Sequence, residues 1–480
     1  MTAEHTTADT APRGADWADA LPAVHEVPAA TVAAALDGAR RLVVLDDDPT
    51  GTQTVRDVPV LTRWASDDIA WAFAQGGPGF FVLTNTRSLS EPDAAARNRE
   101  IASTCLEVAA GLGIDLVFAS RGDSTLRGHF PLETDVLAEV SAQHDAPVDG
   151  IVLSPAYLDA GRITLDGVHW LRSDEGLQPV GSGEFARDAT FGYRSSRLAD
   201  WVEEKSSGRI AADSVEVVDL AGIRSPDAPL TGVLRSLRDG GVVVIDAVVD
   251  DDLRAATLSI LAAEAAGTRL VYRVGPSFVR ARLGQGTHPP ITDDELAEIT
   301  AGAQGHGLVV VGSHVGLTSR QLERLVAGRD VAVLELDVAA ILDGDGSGHL
   351  DDLVTRATAE LGERLVVVTT SRTLRTGADA QSSLDISRRV SGALTATVRR
   401  IVAARRPRFV VAKGGITSSD IATAALDIDR AVVRGAMLPG IVSLWQAATG
   451  PAAGLAYIVF AGNVGDDSSL AAVVDRLEAS

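Results

Sequence analysis

Short runs of aliphatic and β-branched residues alternate along this chain with longer amphipathic stretches. In the first half the apolar runs are LVVLD (42–46), GFFVLT (79–84), DLVFAS (115–120), GIVLS (150–154), VVVIDA (242–247) and RLVYRV (269–274). In the second they are LVVVG (308–312), VAVLEL (331–336), LVVVTT (365–370), RFVVA (408–412) and AYIVFAG (456–462). Each run is short and continuous rather than alternating, as in strands buried on both faces. Helical periodicity is expected over 92–111, 251–266, 318–327, 384–405 and 468–479. Strands alternating with helices predict an α/β protein built on mainly parallel sheets. The stretch GQGTHPPITDDE (284–295) interrupts the pattern with Gly, Pro-Pro and acidic residues. We therefore expect a polar tail and lead-in over 1–38 and domains over 39–288 and 289–480. Each domain should be a mainly parallel sheet flanked by helices, with a cleft between the two. Residues 155–210 are poorer in strand formers and richer in Gly, Ser and Arg, which predicts a loop-rich insertion.

Composition narrows the class. At 480 residues the chain exceeds one ordinary core, and its 46% hydrophobic content is ample for two. No apolar run reaches membrane-spanning length, and the N-terminal stretch lacks a signal peptide's basic start and apolar core. A single cysteine, Cys105, forms no internal disulfide. A reducing cytoplasmic setting is the expectation. The net charge of -22 argues against nucleic-acid or anionic-membrane partners. An anionic ligand would need local donors: Arg, backbone N–H groups, helix N-termini or a metal. The basic residues are almost all Arg, and the only lysines are Lys205 and Lys413. Lys413 stands beside two glycines in VAKGGITSSD, where a compact point charge would be useful.

Three strands of the second half run into glycine loops that open helices. They are VVVGSHVGLTSRQ with Gly312 and Ser313, FVVAKGGITSSD with Gly414, Gly415 and Thr417, and YIVFAGNVGDDSS with Gly462 and Gly465. Thr318 and Gln321 are placed for a capping box, and Thr417 or Ser418 for a helix cap. In a parallel sheet these loops share the carboxyl edge, where ligands bind. One such loop alone would be no more than a turn; three together favour nucleotide. Neither the P-loop nor the dinucleotide fingerprint is present.

Four strands of the first half end in polar segments. LVVLD leads into Asp47-Asp48-Pro49-Thr50-Gly51, and GFFVL into Thr84-Asn85-Thr86-Arg87. DLVFA leads into Ser120-Arg121-Gly122-Asp123-Ser124-Thr125-Leu126-Arg127-Gly128, and GIVLS into Pro155-Ala156-Tyr157 with Arg162 beyond. Individually these read as turns, caps and surface pairs. Together, carboxylates and hydroxyls with Arg87, Arg121, Arg127 and Arg162 suit a small, hydroxylated, anionic molecule. His129 and His169 follow the same segments and read as structural.

Five segments occur in order: Asp47-Asp48-Pro49-Thr50-Gly51, Asp123 to Gly128, SPAYLDAGRITLDGVHW (154–170), Lys413 to Thr417, and Gly462-Asn463-Val464-Gly465. Over about residues 40 to 475 the chain resembles the four-carbon acid sugar kinases. These are ATP-dependent enzymes acting on tetronates and 3-oxo-tetronates. The resemblance implies an N-terminal substrate domain and a C-terminal nucleotide domain. It places Asp47, Asp48, Arg87, Asp123, Ser124 and Arg127 at the acid sugar; Thr50, in the loop after Asp48, is a further substrate-binding candidate. It places Ser313, Gly414, Gly415, Thr417 and Gly462 around ATP; Lys413 is a further nucleotide-binding candidate by its charge. Three positions depart from the family pattern: Pro49 stands where an apolar residue is usual, Thr54 where Asp is, and Arg121 where Lys is.

The expected reaction is Mg²⁺- and ATP-dependent phosphorylation of a hydroxyl, the 4-hydroxyl by resemblance. Asp47, then Asp48, then Asp123 is the choice of proton acceptor, and Arg87 or Arg127 the holder of the substrate carboxylate. The sequence assigns no metal ligands and leaves homo-oligomerisation open. Two rivals remain. Asp46-x-Asp48-x-Thr50 after an apolar strand has the form of a haloacid dehalogenase-like phosphatase motif, with Asp46 as nucleophile. A sensor binding acid sugar and nucleotide without turnover is the other.

Overall fold

A computed structural model describes residues 12–344, 346–372, 375 and 380–480. Two compact units emerge: Met1–Thr54 with Trp64–Thr287, and Val55–Arg63 with His288–Ser480. Residues 55–63, expected in the first domain, belong to the second unit. The strand Val58–Leu61 pairs antiparallel with Arg430–Leu438, and Arg56 is ion-paired with Glu295. Among the described residues no helix is long and apolar enough to cross a membrane.

The first unit contains a parallel sheet in the order Gly79–Leu83, Arg41–Asp46, Leu116–Arg121, Leu270–Val274, Gly150–Ser154, Gly241–Ile245, Glu216–Val218. Leu42 to Leu45 are buried, as a strand covered on both faces requires. One covering helix starts and stops where the sequence directs. Glu91–Leu112 opens with Ser90 accepting from Asp93 N and a proline in its first turn, and ends at Gly113 in the left-handed region. Register decides what meets at the carboxyl edge. Asp46 lies opposite Leu83 on one side and Arg121 on the other, and Val274 lies opposite Arg121 and Ser154. The segments after these strands therefore open together.

The 155–210 region is more ordered than its composition suggested. It carries an antiparallel sheet of Arg162–Leu165, Val168–Ser173 and Gly176–Pro179. Ile163, Trp170 and Leu177 are buried there, and Trp170 Nε1 donates to Leu165 O at 3.2 Å. With Leu165 and Val168 also buried, these apolar side chains give the short strands a core of their own. The segment before residue 39 is also more than a tail. Arg13 and Leu177 exchange both backbone hydrogen bonds (3.0 and 2.9 Å), and the Arg13 guanidinium lies over the Trp170 ring. Further on, Val27 N donates to Asp251 Oδ1 at 2.8 Å, and Ala29–Ala35 packs on the helix Asp250–Ala265. Residues 1–11 of the expected tail lie outside the described residues.

In the second unit the order is Val331–Leu336, Leu365–Thr370, Leu308–Val311, Phe409–Lys413, Ala456–Phe460, Val442–Ala447, Arg430–Leu438, Val58–Leu61. The first five strands are parallel and the last three join antiparallel. Val309, Val311, Phe409, Val411, Ile458 and Phe460 belong to its core. Val311 lies opposite Lys413 and Thr369, and Lys413 opposite Phe460, so the glycine loops leave at one edge.

Candidate active site

Three consecutive aspartates end the strand Arg41–Asp46, and each has a different environment. Asp46 is buried and ion-paired with Arg121, with its Oδ2 facing Gly51. Burial pushes its carboxyl up to about 7 against the pull of Arg121. Asp47 is gripped by Arg87 through two bonds, Nη2 to Oδ1 at 2.6 Å and Nε to Oδ2 at 3.1 Å. Asp48 accepts from Thr50 N at 2.8 Å and from the Thr50 hydroxyl, which closes the turn at Pro49–Thr52. Arg87 Nη1 reaches Asp48 Oδ2 at 3.3 Å. Burial opposes the Asp48 charge, but Arg87, Arg121 and the Thr50 bonds outweigh it and hold the carboxyl below its usual range.

The Asp123–Gly128 loop lies against the same group. Asp123 accepts from Thr125 N (3.2 Å), the Thr125 hydroxyl and Arg127 Nε (2.6 Å). Burial again opposes the charge, and Arg87 and Arg127 together hold Asp123 far below the ordinary carboxylate range. Arg127 also meets Asp188 at 3.5 Å and covers the Phe185 ring. Ser124 Oγ accepts from Arg162 Nη1 at 3.2 Å, while Gln53 Nε2 donates to Tyr157 OH at 3.1 Å. Gly128 has φ +114°, and a Cβ there would fall 3.0 Å from Asp47 Oδ2, so only glycine lets the two loops approach. Asp47, Asp48, Thr50, Arg87, Asp123, Ser124 and Arg127 thus come together in one cluster.

Beneath this cluster lies a buried network that sequence reasoning missed. Glu133 accepts from Thr86 Oγ1 (2.7 Å), Ser120 Oγ (2.6 Å) and Arg273 Nη1 (2.6 Å). Arg273 Nη2 donates to the carbonyl of Arg127 at 3.3 Å. A single ion pair therefore supports both the 84–88 and the 120–128 segments. The available signal was Arg273 itself, a charge inside the apolar strand LVYRV. The two histidines are structural, as expected. His129 Nε2 lies 3.1 Å from Thr86 O and 3.2 Å from Leu89 O. His169 Nε2 donates to Ser124 O at 2.8 Å, and its Nδ1 accepts from Thr164.

In the second unit the glycine loops pack against one another. A Cβ on Gly462 would fall 2.6 Å from Ser313 Oγ. On Gly414, which has φ +127°, it would fall 3.0 Å from Thr417 Oγ1 and 3.2 Å from Ser313 Cβ. On Gly312 it would overlap Thr417. Ser313, Gly414, Thr417 and Gly462 are thus in contact range, and Gly415 opens the helix Gly415–Asp420. Arg372 Nη1 fixes the loop by donating to Ser313 O at 2.7 Å. Beside it lies a cavity of about 170 Å³ lined by Gly312, His314, Val338, Val390, Leu394 and Ile416.

Three local expectations are corrected. Thr318 and Gln321 form no capping box, because the helix already begins at Gly316. Instead Thr318 Oγ1 donates to Gly462 O at 3.0 Å, and Gln321 Nε2 to Asp466 O at 2.7 Å. Neither Thr417 nor Ser418 caps its helix; Gly414 stands at the N-cap, and Ser418 Oγ donates to Ala412 O at 2.8 Å. Lys413 does not present its charge at the loop surface. Its side chain is fully buried, with Nζ donating to Ala461 O at 2.7 Å and lying 3.9 Å from the Phe460 ring centroid. Burial lowers its pKa to about 7.

The donors and carboxylates of the first unit suit a small hydroxylated anion. In the glycine cradle of the second, Gly312 N and Gly414 N already donate to Lys413 O (3.3 Å) and Phe460 O (2.8 Å), so a phosphate there would meet the N–H groups that follow them at the strand edge. Among the described residues no group of three or more His, Cys, Asp or Glu is arranged to hold a metal. The phosphatase reading fares poorly, because its nucleophile Asp46 is sealed behind Gly51 and paired with Arg121.

Similarity to known proteins follows the same division. A D-erythronate kinase of Heliobacterium modesticaldum is 27% identical over 342 residues, 67% of this chain and 69% of that protein. The Haemophilus influenzae protein HI1011 superposes with a TM-score of 0.60 at 16% identity, covering 91% of this chain and 99% of its own. A Salmonella typhimurium LT2 protein carrying a provisional tRNA synthase label gives 0.65 at 17%, covering 91% and 98%. At those identities the two structures establish the fold alone. Residues 42–282 match the family model for a sugar-binding N-terminal domain, and residues 308–470 that for a nucleotide-binding C-terminal domain. The chain therefore belongs to the four-carbon acid sugar kinase family.

Proposed function

We propose that the protein is an ATP-dependent kinase that phosphorylates the primary 4-hydroxyl of a four-carbon sugar acid, with D-erythronate the first candidate. The observation that carries this reading is the aspartate–arginine–hydroxyl cluster at the strand ends of the N-terminal unit. Asp47, Asp48 and Asp123 are fixed by Arg87 and Arg127, with the Ser124 hydroxyl beside them. The kinase identity of the Heliobacterium relative supports the same reaction class.

Phosphoryl transfer asks a protein mainly for positioning and charge stabilisation. Asp48 and Asp123 are held ionised at neutral pH. As acceptors they orient substrate hydroxyls. Asp47, fixed at two points by Arg87, is the first candidate to accept the proton of the attacking hydroxyl. In the C-terminal unit the residues that follow Gly312, Gly414 and Gly462 would offer their N–H groups to the phosphates of ATP, since Gly312 N and Gly414 N are already engaged, and the Arg372 guanidinium is close by. The apolar cavity around Val338, Val390, Leu394 and Ile416 suits the adenine. Magnesium would travel on the nucleotide, held chiefly by phosphate oxygens and water.

The test is ADP formation with Mg·ATP against D-erythronate, threonate and their 3-oxo forms, beside Asp47→Asn. Acid-dependent ADP formation, reduced at least 100-fold in the variant, is expected. If no acid raises ADP above the acid-free rate while the acids still stabilise the protein, a non-catalytic sensor is favoured instead.

A further inference from the structure

Four arginines border the polar cluster of the N-terminal unit, and three are neutralised within it. Arg87 pairs with Asp47 and Asp48, Arg121 with Asp46, and Arg127 with Asp123 and Asp188. Arg162 is different. Its one side-chain hydrogen bond among the described residues is from Nη1 to Ser124 Oγ at 3.2 Å, and its guanidinium lies over the Tyr157 ring, 5.9 Å from the centroid. No carboxylate oxygen of the described residues lies within 4.0 Å of it. The nearby acids are engaged elsewhere, Asp159 by Arg280 at 2.7 Å and Asp123 by Arg127 at 2.6 Å.

The mounting of Arg162 is rigid. It exchanges both backbone hydrogen bonds with Tyr157 (3.0 and 2.9 Å) at the start of the strand Arg162–Leu165. Gly161, with φ +70°, makes the turn before it and accepts from Arg172 N at 2.7 Å. The side chain is half-buried, so a ligand would meet it with few waters to displace. A guanidinium has five N–H donors in a planar fork that matches a carboxylate at two points. Here most of that fork is uncommitted.

We propose that Arg162 binds the carboxylate of the acid substrate and is the residue that distinguishes a sugar acid from a neutral polyol. The inference rests on the kinase reading above and reassigns the arginines. Arg87 and Arg127 position the aspartates, and Arg162 recognises the anion. With the carboxylate on Arg162 beside Ser124, the hydroxyls of a short acid would extend towards Asp123 and Asp47.

The experiment compares wild type, Arg162→Gln and Arg162→Lys with D-erythronate and erythritol, reading ADP formation and thermal stabilisation by each compound. For Arg162→Gln the KM for D-erythronate should rise about 10- to 100-fold, as expected for one lost charge-assisted pair. The kcat should change less than about threefold, and the KM for ATP should be unchanged. Arg162→Lys should recover part of the loss, and the preference for acid over polyol should collapse in the Gln variant. An unchanged KM for D-erythronate in Arg162→Gln overturns the inference and leaves the kinase reading intact. If wild type forms no ADP with any acid, the kinase reading fails. Stabilisation by D-erythronate that disappears in Arg162→Gln would still uphold the carboxylate site. Stabilisation that persists in the variant, or is absent from wild type, would overturn it.

Discussion

Replacing Glu133 by Gln tests whether the buried ion pair beneath the cluster supports it. The change keeps shape and removes charge. A Gln oxygen in place of Oε2 still accepts from Ser120 and Arg273, and its NH₂ can donate to Thr86, whose hydroxyl turns to Thr84 at 3.0 Å. Hydrogen bonds therefore survive, and the loss isolates the counter-charge of Arg273. Both residues are buried, with side-chain exposures of 3% and 5%. Leaving one charge of such a pair uncompensated costs about 3–5 kcal/mol. At roughly 2 °C per kcal/mol for a unit of this size, the melting temperature should fall by about 6–10 °C. The double change Glu133→Gln with Arg273→Met removes the orphaned charge and should cost at least about 1.5 kcal/mol less than the sum of the single changes. Differential scanning fluorimetry and urea unfolding of the four proteins read this directly. A Glu133→Gln loss below about 1 kcal/mol, or strict additivity, would mean that the Glu133–Arg273 pair does not support the cluster.

Other consequences follow from particular residues. His169 is fully buried, and burial lowers its pKa to about 4 in the folded state. Its contribution is complete above the unfolded value near 6.5 and is lost as pH falls towards 4. Stability should therefore drop by about 1.4 kcal/mol per pH unit over that window, and His169→Gln should flatten the slope in unfolding curves. Gly312→Ala drives a methyl into Thr417, so stabilisation by Mg·ADP should weaken at least about 10-fold in affinity, a loss near 1.4 kcal/mol. Gly232→Ala, in a helix with open space around the added carbon, should gain about 0.5–1 kcal/mol. Deleting residues 1–28 unpairs Leu177, and hydrogen exchange across 162–179 should accelerate; unchanged protection would deny that segment a structural role.

Much of this was legible in the sequence wherever a strand is apolar on both faces. LVVLD and FVVAK announce themselves as buried parallel strands, and the residues just after them must open at one edge. Period-2 strands were harder to see. Arg430–Leu438 alternates buried and half-buried positions and carries two arginines, so no continuous run marks it. Val58–Leu61 contains a proline and joins the second unit through a pairing about 370 residues away, which no local pattern reveals. The polar cluster was legible as a set of residue types at strand ends. Which arginine is neutralised and which is available was not, because that depends on distances across four loops. The same holds for Lys413, whose glycine neighbours suggested a ligand while its side chain turns inward onto Phe460.

The most direct measurement is proton-coupled ³¹P NMR of a reaction containing the protein, Mg·ATP and D-erythronate. Phosphorylation at the 4-hydroxyl gives a new phosphomonoester signal that requires both ATP and the acid and couples to two terminal methylene protons. ATP consumption without a monoester, or a monoester coupled to a single methine proton, would contradict it.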